Sequence, residues 1–491
     1  MTPRRPFLLL LLLPALLGLA SSSRAQEEPT VFVFDYGTIG LDSLQVFSPS
    51  SVFRPLDMLG VRAGGRAWAM GGAYVAEARG LEAVSWNPAG LGWLERTDVM
   101  ADLFWLRSSG TTSGFPDTFN IPEVSLVNVT RYEVNLKSNV RYNMLGGAFS
   151  TDLPGNLHMG GAISFRRYMD TAYPEEIIED MTFQEGGSFP VTLAFDDSES
   201  GGVEAVAATI GLQVVPDLLS VGGNLNFLTG RLDAQQEQIL ATGGGQIPPG
   251  RRDIRFDYSG FSTDLGLQAR FGDRGGLGVR FTPGYTLDVE GGSFYAQSLA
   301  PPGQPIVVVQ ARIADYEIDV PSLLTVGGVL DPLDWLTVTA DYSIQSWQDA
   351  EVRYKEDRDE DADLPLQDVT SLNVGLEGRF FRIRDVELPL RIGYRRGPLS
   401  LAQLAPEGKI DGAHVLDFDW AGGEIDTQAL SFGIGFLTGP LRYDLALDFL
   451  DYELEKFYFD AYYDPLVNPQ STIVKVDRRL NRIRLSATLQ L

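Results

Sequence analysis

The chain has 491 residues, 65 acidic against 39 basic side chains for a net charge of −26, no cysteine and two histidines. That charge argues against nucleic acid and anionic lipid headgroups as electrostatic partners. The missing cysteines exclude disulfides and thiolate metal sites, and no metal or cofactor is implied by the residues present.

The first element in chain order is an address rather than a fold. Arg4 and Arg5 precede an apolar run from Phe7 to Leu19, and Ser23-Arg24-Ala25 offers a small-x-small cleavage site, so residues 1–25 read as a signal peptide. The run is shorter than the roughly 20 residues a spanning helix needs. No cysteine follows it, which excludes a lipid-anchored start. Residues 26–63 then form an N-terminal extension.

From residue 64 to 92 the string is GGRAWAMGGAYVAEARGLEAVSWNPAGLG. Small residues crowd there, permitting close backbone approach, and Ala73 to Ala83 predicts two or three turns of helix ending before Pro88. Asn87-Pro88 signals a turn, with Gly90 suited to positive φ. The segment reads as a compact plug, or hatch.

Residues 93–491 are all-β in pattern, and from about residue 157 period-two alternation recurs to the end. Leu336, Val338, Ala340, Tyr342 and Ile344 share a face opposite Thr337, Thr339, Asp341 and Ser343, and Ile483 to Leu491 repeats the pattern. In Leu277 to Val289 the odd positions, Tyr285 included, form the apolar set. Runs of about 9 to 13 residues suit tilted membrane strands better than soluble ones.

The connections alternate in length. Short turns fall at 152–156, 216–217, 272–276, 331–334, 381–387 and 438–440. Long polar segments, read as loops, lie near 107–140, 167–204, 230–255, 290–319, 346–368, 396–427 and 453–477. Six turns and seven loops join fourteen strands, an even number with both ends on the short-turn side, which predicts an antiparallel transmembrane β-barrel in the bacterial outer membrane with periplasmic termini. A pair of soluble β-sandwiches offers no reason for the alternating loop lengths.

Physics assigns the faces. Arg270, Arg280, Arg391, Asp341, Asp444, Asp448, Arg482 and Arg484 share the polar phase, and an Arg facing lipid at mid-depth costs about 2–4 kcal/mol, so they belong in the lumen. Phe271, Phe281, Tyr285, Tyr342, Tyr443 and Phe449 occupy the lipid phase.

Arg66-Ala67, Met70-Gly71-Gly72-Ala73, the acidic stretch from Glu77 to Glu82 and Trp86-Asn87-Pro88-Ala89-Gly90 together resemble the N-terminal hatch of the FadL family of outer-membrane transporters. Val320-Pro321-Ser322-Leu323-Leu324 through Trp347 is similar to a late hairpin of that family. The resemblance implies a fourteen-stranded barrel with the hatch inside the lumen. It also implies passive uptake of a hydrophobic or amphipathic small molecule such as a long-chain fatty acid, with Arg66, Gly71, Gly72, Trp86, Asn87, Pro88, Ala89 and Gly90 setting hatch geometry and gating. PorV-like barrels share these strings, so the alternative is a non-transporting barrel in protein secretion or surface assembly, gripping a protein partner through its loops or residues 26–60. Two departures from the family are the length of that extension and the terminal Leu491 in place of an aromatic.

Chemistry is sparse. His158 lies on a polar strand phase and His414 in a long loop, no G-x-S-x-G surrounds a serine, and the chain is not expected to be an enzyme. His158 is expected to bond to the hatch from the lumen wall. Asp357, Asp359, Asp361 and Asp363 alternate like a calcium loop, but Ala362 stands where Gly is needed and Asp368 where Glu is, so the solvated acidic loop is the stronger reading. The wall charges Glu377, Arg379, Arg391, Arg395, Arg442 and Asp444 read as paired charges around the plug. The expected surroundings are outer-membrane lipid and lipopolysaccharide, together with a hydrophobic ligand.

Overall fold

The computed structural model describes residues 31–39, 61–113, 119–121, 125–136, 139–155, 157–170, 175–184, 188–242, 245–297, 305–355, 367–398, 406–409, 417–420, 425–458 and 472–491. The alternation read from the sequence becomes a closed antiparallel barrel of fourteen strands. The first six are Asp98–Ser113, Asn139–Leu153, Leu157–Met169, Ser188–Val215, Leu219–Thr242 and Gly245–Arg270. The seventh runs through Gly275–Thr282 and Tyr285–Gln297, and the eighth through Ile306–Ile313, Tyr316–Val320 and Leu323–Leu333. The ninth is Leu336–Gln345, extended by Val352–Tyr354. Val369–Gly378, Leu390–Pro398, Asp426–Thr438, Leu441–Tyr458 and Thr472–Gln490 complete the wall.

Closure joins the first strand to the last, from Asp98 opposite Gln490 to Ser113 opposite Lys475. Leu491 donates its N–H to the Thr97 carbonyl, so the C-terminal residue sits at the short-turn end. Closing the sheet leaves no unpaired edge at membrane depth, the condition under which strands can cross hydrocarbon. Among the described residues no helix is long and apolar enough to cross a membrane.

The outer surface carries a belt of exposed large hydrophobics, including Leu103, Phe149, Ile163, Ile210, Leu225, Leu265, Val326, Leu376, Ile392, Phe432 and Leu485. Such a belt is stable only against lipid. Arg280, Asp341, Arg391, Asp444, Asp448, Arg482 and Arg484 are buried inside, as the cost of an Arg in hydrocarbon requires. The chain is thus an outer-membrane β-barrel.

Two expectations about the wall change. Much of 188–200, 230–255 and 290–297, read as loop, is strand: the fourth, fifth and sixth strands run 28, 24 and 26 residues, far more than a bilayer needs. Their polar outer faces carry the pairs Arg231–Asp257 at 2.6 Å and Arg255–Asp233 at 2.5 Å, which belong in water beyond the belt. Polarity there marks the end of the membrane, and the ladder continues past it. The second change is Tyr285, expected toward lipid. Pro283 and Gly284 interrupt the seventh strand, Leu265 faces Phe281 below the break and Gly260 faces Leu287 above it, so the alternation slips by one residue. Tyr285 therefore turns inward, edge-on to Tyr168 with ring centroids 6.1 Å apart.

Above the belt the inward faces of the third to ninth strands build an apolar cluster that includes Leu232, Phe256, Leu287, Phe294, Val309, Tyr316 and Trp347. At the long-connection end Val31–Ile39 lies beside Ile306–Ile313 as an added parallel strand.

Candidate functional site

The lumen is closed by residues 61–94. Gly65–Ala69 forms a short helix, Gly80–Glu82 a single 3-10 turn, Ala83–Trp86 one helical turn and Pro88–Trp93 a 3-10 run. The two or three helical turns expected over Ala73 to Ala83 do not form. Gly71 and Gly72 adopt φ of +68° and +79°, which turns the chain, and the N–H groups of Tyr74 and Val75 donate to Asp341 of the ninth strand at 2.6 and 2.9 Å. A carboxylate across the lumen thus replaces the carbonyls that a helix would have supplied.

Inward glycines on the wall admit the hatch. A Cβ on Gly160, Gly211, Gly222, Gly266, Gly278, Gly375 or Gly393 would stand between 1.9 and 2.6 Å from hatch atoms of residues 70–92. On Gly433 it would stand 2.3 Å from Ala69 Cβ. These eight positions fall on eight different strands, so glycine is required where wall and hatch touch.

Polar groups then hold the backbone that the glycines admit. Asn87 Nδ2 donates to the carbonyls of Val75, Leu267 and Val279 at 2.9, 3.1 and 3.3 Å, while its Oδ1 accepts from Ala89 N–H at 3.2 Å. One side chain thereby stitches the hatch to itself and to two wall strands. Pro88, with no N–H to satisfy, opens the 3-10 run behind that cap. Ser220 Oγ donates to Ala89 O at 2.6 Å, Gln268 to Val75 O and Ala78 O, Asn224 to Val84 O and Asn373 to Gly72 O. Trp86 Nε1 reaches Ala63 O at 2.6 Å, and its ring meets Trp68 and Tyr74 edge-on. Gly90 packs against Ala78, where a Cβ would lie 2.2 Å from the carbonyl oxygen.

Arg66 is the electrostatic centre. Its guanidinium binds Glu377 in a two-pronged pair at 2.8 and 3.0 Å and Glu77 at 3.0 Å. Arg391 extends the chain by joining Glu377 at 2.6 Å to Asp444 at 2.7 Å, and Arg442 reaches Asp444 at 2.6 Å. Burial opposes the charge on Glu77, yet Arg66 and Arg79 hold its carboxyl below the ordinary carboxylate range. Toward the short-turn end Arg66, Glu77, Glu377, Arg391 and Arg442 line a cavity of about 280 Å³, together with Glu82, Asp98, Arg379 and Glu387. On the other side of the hatch, Trp68 carries the guanidinium groups of Arg484, Arg395 and Arg482 over its ring at 3.9, 4.8 and 5.2 Å.

Of the eight hatch residues singled out in the sequence, the structure brings Arg66, Gly71, Gly72, Asn87, Pro88 and Ala89 against the wall, whereas Trp86 and Gly90 pack within the hatch itself. Asp341, Gln268, Ser220, Asn224 and the wall glycines escape sequence reasoning, because inward phase alone does not say which lumen residue meets the plug. His158 donates from Nε2 to the hatch carbonyl Leu94 O at 2.6 Å, and its Nδ1 lies 2.8 Å from the Asp152 carboxylate. The acidic alternation from Asp357 to Asp363, and His414, lie outside the described residues. Among those described, no group of three or more His, Asp or Glu side chains stands close enough to hold a metal ion.

No protein-family model and no curated protein matches the chain by sequence. Its architecture does match solved structures. A FadL homologue of Pseudomonas aeruginosa aligns over 87% of this chain and 98% of its own, at 13% identity and a TM-score of 0.53. The toluene transporter TbuX of Ralstonia pickettii aligns over the same shares at 15% identity and 0.52. The toluene transporter TodX of Pseudomonas putida does so at 13% and 0.51. A fourteen-stranded wall closed by an N-terminal segment, aligned over 87% of the chain with these barrels, gives the chain the fold of the FadL-like outer-membrane transporters.

Proposed function

We propose that the chain is an outer-membrane channel for passive uptake of hydrophobic or amphipathic small molecules, long-chain fatty acids among them, gated by the hatch. One observation carries this reading: apart from its covalent entry into the first strand at Asp98, the segment that stops the lumen is held to the wall through hydrogen bonds and ion pairs, contacts that can exchange while the wall stays paired. The short turns face the periplasm and the extended strands face outward, the usual orientation of such barrels. The apolar cluster above the hatch then offers the first dry surface to an entering molecule, while the cavity beneath is lined by charge and gives an apolar molecule no resting place. TodX and TbuX, described as toluene transporters, support the substrate class. Arg66, Gly71, Gly72, Trp86, Asn87, Pro88, Ala89 and Gly90 act as geometry-setting and gating residues, with no chemical step assigned to any of them.

Uptake by cells expressing the chain tests the proposal, with radiolabelled oleate and toluene against a sugar of similar mass. Hydrophobic uptake should exceed the empty-vector control about tenfold while sugar uptake stays level. Equal uptake of oleate and toluene with and without the chain would reject it. The long water-facing extensions of the fourth to sixth strands favour a second reading, a PorV-like barrel that grips proteins. A partner protein retained stoichiometrically in mild detergent, together with absent uptake, would select that one.

A further inference from the structure

The outer end of the eighth wall strand has different kinds of neighbour on its two edges. Ile306–Ile313 is held on one edge by Ser293–Gln297 of the seventh strand. On the other edge the ninth strand's last described segment, Val352–Tyr354, reaches only to Tyr316–Ile318. That other edge belongs to a run in which Val307, Val308 and Val309 are all buried, and a strand edge is a template onto which a further strand can add. Val31–Ile39 takes that place, with Val31 opposite Ile306 and Ile39 opposite Ile313.

Parallel pairing fixes a direction. The eighth strand descends from the long-connection end toward the membrane, so Val31–Ile39 descends beside it with Val31 outermost. Val61 continues from inside the lumen, packed with Leu106, Leu450 and Leu480 high on their strands. Three residues on, Gly64 N–H donates to Asp102, and then Gly65 N–H donates to Ser486, both a step nearer the short-turn end. Two separate stretches of the N-terminal region therefore run the same way, from the outer mouth inward. A chain entering from the periplasm would approach the hatch in the opposite sense.

We propose that the chain reaches the hatch from the outer mouth, with Val31–Ile39 presented on the cell surface as a strap zipped onto the outer end of the eighth strand and tying the hatch to the outer sheet. On this reading Val31–Ile39 stands at the extracellular end, opposite the periplasmic side expected for the N-terminus, while Leu491 stays at the short-turn end. Backbone hydrogen bonds give such strand addition its affinity, and the parallel form is slightly weaker per residue than the antiparallel one. The strap is thus the more detachable of the hatch's two connections, the other being the covalent entry into the first wall strand at Asp98.

The full-length protein carries no cysteine, which makes cysteine accessibility a clean readout. Val33 is 59% exposed on the strap and Asp273 is exposed in a short turn. In intact cells a membrane-impermeant maleimide should label Val33→Cys as fully as in permeabilised cells, and should label Asp273→Cys only after permeabilisation. Val33→Cys reacting only after permeabilisation, or not at all, would overturn the proposal. Docking is tested by the double variant Asp35→Cys, Gln310→Cys, which places both thiols at one register position. Mild oxidation should form a reducible cross-link in most molecules, and its absence would overturn the strap. Neither readout depends on transport, so a failed uptake assay leaves this inference standing, and failure here leaves the uptake reading untouched.

Discussion

Asn87 shows how much one side chain can carry at a buried junction. Its amide serves three carbonyls from three different segments, and truncation would leave them without a donor. Asn87→Ala should cost about 1–3 kcal/mol of hatch seating, the usual cost of stranding buried polar groups. The measurable outcome is a raised basal conductance in planar bilayers while the heat-modifiable mobility of the folded barrel is kept; wild-type conductance would show that the stitch is dispensable. Glu377 is the stricter case, because Arg66 and Arg391 both depend on it. Glu377→Gln leaves two buried guanidinium groups short of charge, a change expected to cost about 3–5 kcal/mol. Double-mutant cycles with Arg66→Met, read by denaturant titration in detergent, should recover part of that loss.

At the scale of elements, the fit between wall and hatch depends on missing side chains. A Cβ on Gly393 would lie 1.9 Å from Gly71 N, backbone against backbone, where no rotamer change relieves the clash. Gly393→Val should therefore expel or displace the hatch and open the channel several-fold, whereas Gly223→Ala, whose nearest heavy atom is 4.0 Å away, should leave conductance unchanged. Equal behaviour of the two variants would mean that the close approach is unimportant. The hatch also has a predictable acid response. Because the Glu77 carboxyl is held below its ordinary value, its contribution is full above about pH 4.5 and is lost as the pH falls through the lowered value. Single-channel openings should become more frequent on acidification in the wild type, and that component should be absent from Glu77→Gln.

For the whole molecule, the governing fact is that one surface is lipid-facing and the opposite one encloses a stopped lumen. Deleting residues 64–92 should turn a closed barrel into an open one, seen as a stable large conductance. Ile392, exposed at 41% in the belt of the eleventh strand, tests the other surface. Ile392→Arg should destabilise the barrel by about 2–4 kcal/mol in bilayers. A cost near zero would place the belt outside hydrocarbon.

Much of this was legible in the residues themselves. Alternation at Leu336 to Ile344 and at Ile483 to Leu491 determined strand, phase and facing, since a period of two leaves only one way to keep Arg482 and Arg484 out of lipid. Turn chemistry and the alternation of connection lengths determined the strand number, and the MGGA and NPAG strings marked the hatch. Tertiary structure alone decided the rest. Hatch segment 73–79 prefers helix locally, but Asp341, 267 residues away from Tyr74, captures its N–H groups. Tyr285 changes sides because of a one-residue slip that periodicity cannot register across Pro283-Gly284. Ladders that leave the membrane look like polar loops, because composition reports the solvent and not the backbone. The wall glycines, the partners of Asn87 and the place of Val31–Ile39 are contacts between residues remote in sequence, which exist only once the barrel has closed around the hatch.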